Sequence, residues 1–236
     1  MVASNMHDSA PYPAVAALSA PETGFQAMCR EAGPAMTARV PVDTPLAPVV
    51  AQAMALLDDV ADAGRQHECR DGSWSSVWLA RPPRSAAAPG GEPTPLLDRL
   101  PALERLFAEL GGPVGLVLIA RMAPGDLLDW HYDPASLDHA WSRLHLPLRT
   151  HPQAVTDFCH ERAHWPVGGL YYGDYGFPHR VLNTAGVERL HLYFDVSSQA
   201  LAGRLPAHLQ DADGSRRQLR EAAVNEWLAE RSRQAL

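Results

Sequence analysis

In the stretch "DWHYD", His131 and Asp133 stand two residues apart. Side chains of an extended strand alternate faces, so this spacing sets an imidazole and a carboxylate side by side. Both are metal ligands. His179, in "GFPHRVLN", lies 46 residues beyond Asp133 and closes the set if its strand returns alongside. Two histidines and one carboxylate leave other positions of a metal open, the facial arrangement of non-haem Fe(II) oxygenases. The chain has eleven histidines, so H-x-D with a later histidine is a weak signal by itself. The plain alternative is a pair of satisfied histidines at strand ends.

A second feature strengthens the first. The tetrapeptide "RLHL" occurs at Arg143–Leu146 and again at Arg189–Leu192, ten residues after His179. Strand alternation puts Arg189, His191, Tyr193 and Asp195 on one face and Leu190, Leu192, Phe194 and Val196 on the other. The first copy does the same with Arg143, His145 and Pro147. A guanidinium in a dry pocket needs an anion, because an unpaired buried charge is costly. A dicarboxylate cosubstrate would suit it, since a carboxylate accepts two parallel hydrogen bonds from arginine. Each copy alone reads equally well as an ordinary strand with a solvated face. Both together, beside the H-x-D and the spaced histidine, read as two walls of one anion-holding cavity.

The elements that must position these residues fall in two halves. Residues 1–37, rich in Ala, Pro and Ser, read as a partly flexible N-terminal arm. Met36–Asp43 suggests a first strand, Pro45–Gly64 a helix stopped by Gly64, Gly72–Pro82 a strand, and Pro95–Gly112 a helix interrupted near Pro101. From Val114 onward, seven or eight short strands follow one another between Gly, Pro, Asn and Asp turns. That pattern predicts a β-sandwich or barrel rather than a βαβ protein. Ser215–Gln234 predicts a terminal amphipathic helix whose charged face is solvated. The divisions expected are the arm, a β domain with N-terminal helices over 38–200, and a C-terminal helical extension over 201–236 packed on it.

Composition narrows the function. A net charge of −7 over 236 residues argues against a nucleic-acid partner. Three scattered cysteines without a C-x-x-C pair suggest neither zinc nor a disulfide framework, and point to a reducing, cytoplasmic setting. No apolar run reaches membrane-spanning length, and no basic residues precede the apolar N-terminal run, so neither a membrane partner nor a secretory signal is expected.

Taken in order, "LIARMAPGDLLDWHYD" (Leu118–Asp133), "RLHLPLRTHP" (Arg143–Pro152) and "GGLYYGDYGFPHRVLNTAGVERLHLYFDV" (Gly168–Val196) resemble the aspartyl/asparaginyl β-hydroxylase family. That family, with its bacterial proline-hydroxylase relatives, lies within the Fe(II)/2-oxoglutarate dioxygenases. "DGSWSSVWL" and "TPLLDRLPALERLF" sit where the family places comparable segments. The resemblance covers roughly residues 70–197. It implies a mainly β fold: a double-stranded β-helix, that is, a cupin-like jelly roll, with flanking helices. It implies His131, Asp133 and His179 as Fe(II) ligands and Arg189 as anchor of the distal carboxylate of 2-oxoglutarate. Arg143 and His145 match an R-x-H that contacts either the cosubstrate or a substrate carboxylate. Because Asp133 keeps the carboxylate, a halogenase is disfavoured. O2 and 2-oxoglutarate would be consumed as a C–H bond is hydroxylated, giving succinate and CO2.

The expected substrate is a small molecule, a free amino acid or a peptide-like metabolite. Trp141, in the loop before Arg143, and Arg121 are candidates to bind it. The loops Pro134–Ser142 and Ser85–Pro95 are expected lids. Asp126, Asp129 and Asp174 read as turn residues. Two alternatives stay open: desaturation, epimerisation or cyclisation with the same cofactors, and a non-catalytic cupin-like binding protein.

Overall fold

The computed structural model describes residues 22–60, 66–67, 74–82, 90–137, 140–211 and 213–234. The chain runs through α1 (Gly24–Ala32), β1 (Thr37–Arg39), α2 (Leu46–Asp59), β2 (Gln66–His67), β3 (Ser75–Arg81), β4 (Glu92–Pro93) and α3 (Pro101–Leu110). The strand-rich half follows: β5 (Val114–Met122), β6 (Leu127–His131), β7 (Trp141–Arg149), β8 (Ala154–Phe158), β9 (Glu161–Ala163), β10 (Tyr171–Gly173), β11 (His179–Asn183) and β12 (Arg189–Ser197). It closes with α4 (Ser215–Gln234).

The strands form two antiparallel sheets. The larger runs β1-β10-β7-β12-β5-β3-β2, with β4 beside β3, and the smaller runs β6-β11-β8-β9. Two sheets joined by crossing connections, with helices outside and no closed barrel, make the jelly roll expected from the sequence.

Alternation explains what each face does. On the larger sheet, Val77, Leu79, Val117, Ile119, Leu144, Leu146, Leu148, Leu190, Leu192 and Phe194 turn outward onto α2 and α3. Both RLHL copies therefore spend their leucines on the helical layer. The opposite face looks toward the smaller sheet. There Leu116, Leu118, Ala120, Met122 and Tyr193 meet Val181 and Leu128. A third cluster joins Phe158, Trp165, Tyr175 and Phe177 to Phe25 and Cys29 of α1 and Ala223 and Trp227 of α4.

Several elements differ from expectation. The segment read as an N-terminal arm contains α1, whose Phe25 and Cys29 are buried against α4. Its nine-residue amphipathic pattern is too short to stand out in the sequence. Helix α2 ends at Asp59, and Gly64 lies outside the described residues. Helix α3 does stop at its Gly-Gly: Gly111 takes φ +73°, which a residue with a Cβ adopts at a cost. The charged face of α4 is not simply solvated, for Arg216 and Arg220 are buried. Among the described residues no helix is long and apolar enough to cross a membrane.

Glu109, near the end of α3, fastens the segment ahead of α2. Its carboxylate accepts the backbone N–H groups of Asp43 at 2.9 Å and Thr44 at 2.7 Å, and Arg204 Nη1 at 3.1 Å. Burial works to raise its pKa, but the bonds from Thr44, Asp43 and Arg204 prevail and bring it from 4.5 to about 2. The ionised carboxylate thus contributes its full stability above 4.5, and this fades as the pH falls toward 2. In urea titrations, Glu109→Gln is expected to lower stability at pH 7 and to differ less from the parent at pH 3. An equal difference at both pH values would remove the carboxylate from this role.

Candidate active site

Strand β6 ends at His131 and strand β11 begins at His179, and the two residues are direct cross-strand partners. Their rings lie 4.1 Å apart between centroids. Asp133 follows two residues after His131, its N–H donating to the Tyr175 carbonyl at 2.9 Å. Nitrogen and oxygen atoms of His131, Asp133 and His179 all lie within 4.8 Å of one another. The structure thus brings the three sequence-predicted ligands to one point, from two strands and the turn that follows the first.

Each ring is held by a backbone carbonyl. His131 Nδ1 lies 2.7 Å from the Asp129 carbonyl and His179 Nδ1 lies 2.9 Å from the Phe177 carbonyl. A carbonyl only accepts, so each Nδ1 carries a proton and each Nε2 is the ring nitrogen left for another partner. Such second partners fix ring orientation in metal centres. Burial, then the neighbouring His131, lowers His179 to about 3, so this ring is neutral at pH 7. Burial alone would raise Asp133, but Arg143 and the two histidines outweigh it and hold the carboxyl below its usual range.

Arg143 fixes Asp133 from behind. Its Nη1 donates to Asp133 Oδ2, while Nε and Nη2 donate to the two oxygens of Asp195 at 2.8 and 3.1 Å. Asp195 is its direct cross-strand partner on β12. The guanidinium also lies over Tyr193, 4.8 Å from the ring centroid. Among the described residues Asp133 Oδ1 has no hydrogen-bond partner, and Nη1 and Nη2 of Arg143 each make one of their two possible bonds to a carboxylate.

These groups line a cavity of about 210 Å³ with Trp74, Leu128, His145, Tyr175, Val181, Arg189 and Tyr193. Arg189 is 2% exposed. Its contact with Thr156 Oγ1 is long, 3.5 Å, and Nη1 has no partner. Among the described residues no carboxylate pairs with it. Burial brings its pKa down from 12.5 to about 10, leaving it charged at neutral pH. A buried cation held this way is a standing cost that an anion in the cavity would relieve. His145 is stacked between Tyr175 and Tyr193, with ring centroids 5.1 and 5.0 Å away. Its Nδ1 meets His191 Nδ1 at 3.2 Å, and Nε2 has no partner. Burial, then Arg189 and Arg143, lowers its pKa well below the usual value, so it too is neutral.

Two residues expected to bind substrate lie elsewhere. Arg121 shares the outward face of β5 with Val117 and Ile119, and pairs with Glu188 at 3.2 Å. Trp141 packs its ring where a Cβ on Gly115 would be, and is absent from the cavity lining. Arg121→Ala is therefore expected to leave succinate-forming kinetics within about twofold of the parent. A large rise in KM would return Arg121 to the site. Of the expected lids, Asp138, His139 and residues 83–89 lie outside the described residues. Tyr175, Trp74, Thr156 and Asp195 were not expected at the site. Alternation had put Tyr193 and Asp195 on the face of Arg189, which was the available signal. Nothing in "GDYGF" marks Tyr175 as a cavity residue.

No curated protein matches the chain. Among solved structures, a 2OG-Fe(II) oxygenase family oxidoreductase from Burkholderia pseudomallei is 17% identical, covering 74% of this chain and 88% of that one, with a TM-score of 0.49. A prolyl-4-hydroxylase from Pseudomonas putida is 17% identical over 73% of this chain and 98% of that one, TM-score 0.46. The α-ketoglutarate-dependent epimerase of nogalamycin biosynthesis is 14% identical over 72% and 81%, TM-score 0.47. The family model for aspartyl/asparaginyl β-hydroxylases matches residues 50–199, which hold every residue of the cavity. The chain belongs to the aspartyl/asparaginyl β-hydroxylase family.

Proposed function

We propose that this protein hydroxylates an unactivated C–H bond of a free amino acid or small peptide-like metabolite, with Fe(II), 2-oxoglutarate and O2. The observation that carries the reading is the meeting, in one cavity, of a three-ligand donor set with a buried arginine that has no anion. His131 Nε2, His179 Nε2 and Asp133 Oδ1 are the free donor atoms, and a borderline ferrous ion suits that nitrogen and oxygen set. When bound, the metal supplies the redox chemistry that couples decarboxylation of 2-oxoglutarate by O2 to oxidation of the substrate. In balance, substrate C–H, 2-oxoglutarate and O2 become C–OH, succinate and CO2.

The protein's own share is geometry and electrostatics. Arg189 takes the far carboxylate of 2-oxoglutarate and so sets which end of that molecule faces the ligands. Neutral His145 and Tyr175 present polar atoms toward the same cosubstrate without adding charge. Arg143 holds Asp133 in one rotamer and keeps two N–H bonds for a carboxylate, of cosubstrate or substrate. Trp74, Leu128 and Val181 form the apolar wall that keeps water from the reacting carbon. The small cavity favours a small substrate.

The test is anaerobic loading with Fe(II) and 2-oxoglutarate, admission of O2, and a screen of the common amino acids and their short peptides for succinate. The expected result is succinate above the substrate-free level with one or a few of them, and a product heavier by one oxygen. Product lighter by two hydrogens would mean desaturation. No succinate beyond background with any candidate, despite bound cofactors, would contradict the substrate class.

A further inference from the structure

The C-terminal helix reaches the metal ligands without touching the cavity. Asp174 lies between β10 and β11 and is 2% exposed. Its carboxylate accepts Arg216 Nε at 2.6 Å, Arg220 Nε at 2.9 and 3.1 Å, and Arg220 Nη2 at 2.8 Å. Both arginines stand one turn apart on α4, and Arg220 is fully buried. Arg216 also donates through Nη2 to the Ala35 carbonyl at 2.8 Å and through Nη1 to that of His208 at 3.2 Å.

What the arginines grip is a tight turn. The Phe177 N–H donates to the Asp174 carbonyl at 3.2 Å, and the Gly176 N–H to Asp174 Oδ1 at 3.3 Å. The Asp174 N–H is itself tied to the Met36 carbonyl at 2.9 Å. A Cβ on Gly176 would stand 2.7 Å from Arg220 Cδ and 2.9 Å from the Ser136 carbonyl oxygen. Glycine is what lets the arginine stem cross the turn so closely.

The same four residues hold two of the three ligands. The Tyr175 carbonyl accepts the Asp133 N–H at 2.9 Å, and the Phe177 carbonyl accepts His179 Nδ1 at 2.9 Å. Tyr175 also contributes its ring to the cavity wall. A shift of this turn therefore moves Asp133, His179 and one wall together.

We propose that Asp174, Arg216 and Arg220 are positioning residues for the metal site, a lock by which α4 fixes the turn that orients Asp133 and His179. This rests on the metal reading above. Asp174 lies within the family match, and the two arginines that hold it lie on α4, beyond residue 199 where that match ends.

The test uses the full chain and Co(II), a spectroscopic substitute for Fe(II). In Arg216→Met the Arg220 bonds to Asp174 remain. Expected are a fall in Co(II) affinity of roughly 10–100-fold, as for other partners that orient ligands, and an altered Co(II) visible spectrum. In the metal-free protein, faster amide exchange at Asp133 and unchanged far-UV circular dichroism are expected. Arg216→Lys should recover part of the affinity. Asp174→Asn should show larger losses, and Arg216→Met decides the matter if Asp174→Asn does not fold. A folded Arg216→Met protein with parental Co(II) affinity, spectrum and Asp133 exchange would overturn the lock. Failure of the parent protein to bind Co(II) would instead overturn the metal reading, and the exchange measurement would still judge the lock.

Discussion

Succinate release by a His179→Ala variant is expected to fall below detection, with Co(II) affinity reduced by more than the roughly 10–100-fold typical of outer partners. The reason is direct. His179 offers Nε2 into the donor set while its Nδ1 is tied to the Phe177 carbonyl at 2.9 Å, and the neighbouring His131 already supplies the set's other nitrogen. His179 is 1% exposed, so alanine there also leaves a void that costs stability. His131→Ala separates the two effects. That side chain is half-buried at a strand end, and its loss should remove turnover with little change in thermal midpoint. A His131→Ala protein that still forms succinate at the parental rate would place the metal elsewhere.

Arg189→Met is expected to move two quantities in opposite directions. The KM for 2-oxoglutarate should rise roughly 30- to 5,000-fold, the range for truncating one partner of a buried, hydrogen-bonded charge pair. Stability of the ligand-free protein should rise by about 1–4 kcal/mol, as when a buried ionic group is replaced by an apolar one of similar volume. The second effect follows from the unpartnered Nη1 and the long Thr156 contact. Thermal denaturation with and without 2-oxoglutarate reads both. The parent should gain stability from 2-oxoglutarate through linkage, and the variant should start higher and gain little. A destabilised variant that retains parental cosubstrate dependence would make Arg189 an ordinary structural cation.

The strand-rich half of the fold was legible because its signals are local. Alternation in the two RLHL runs separated the leucines that face α2 and α3 from Arg143, His145 and Arg189, which line the cavity, on both β7 and β12. The two-residue spacing of His131 and Asp133 likewise needed only strand geometry. Long-range pairing was not legible in that way. Arg216 and Arg220 look like solvated positions on a charged helix until the chain folds and places Asp174 beneath them. Arg121 differs from Arg189 by the face of its strand, and only the register of β5 against β12, with Arg121 opposite Leu190, shows which way it turns. Trp141 packs its ring against Gly115 of β5, across β12, a contact that nothing in the loop before Arg143 announces.

In the proposed site one ion and one cosubstrate share the cavity in a defined order. A crystal structure of the protein with Mn(II) and 2-oxoglutarate, grown without O2, examines this most directly. It should show the metal on His131 Nε2, Asp133 Oδ1 and His179 Nε2, and the distal carboxylate on Arg189. A metal bound by other side chains, or 2-oxoglutarate lying with Arg189 still unpaired, would contradict it.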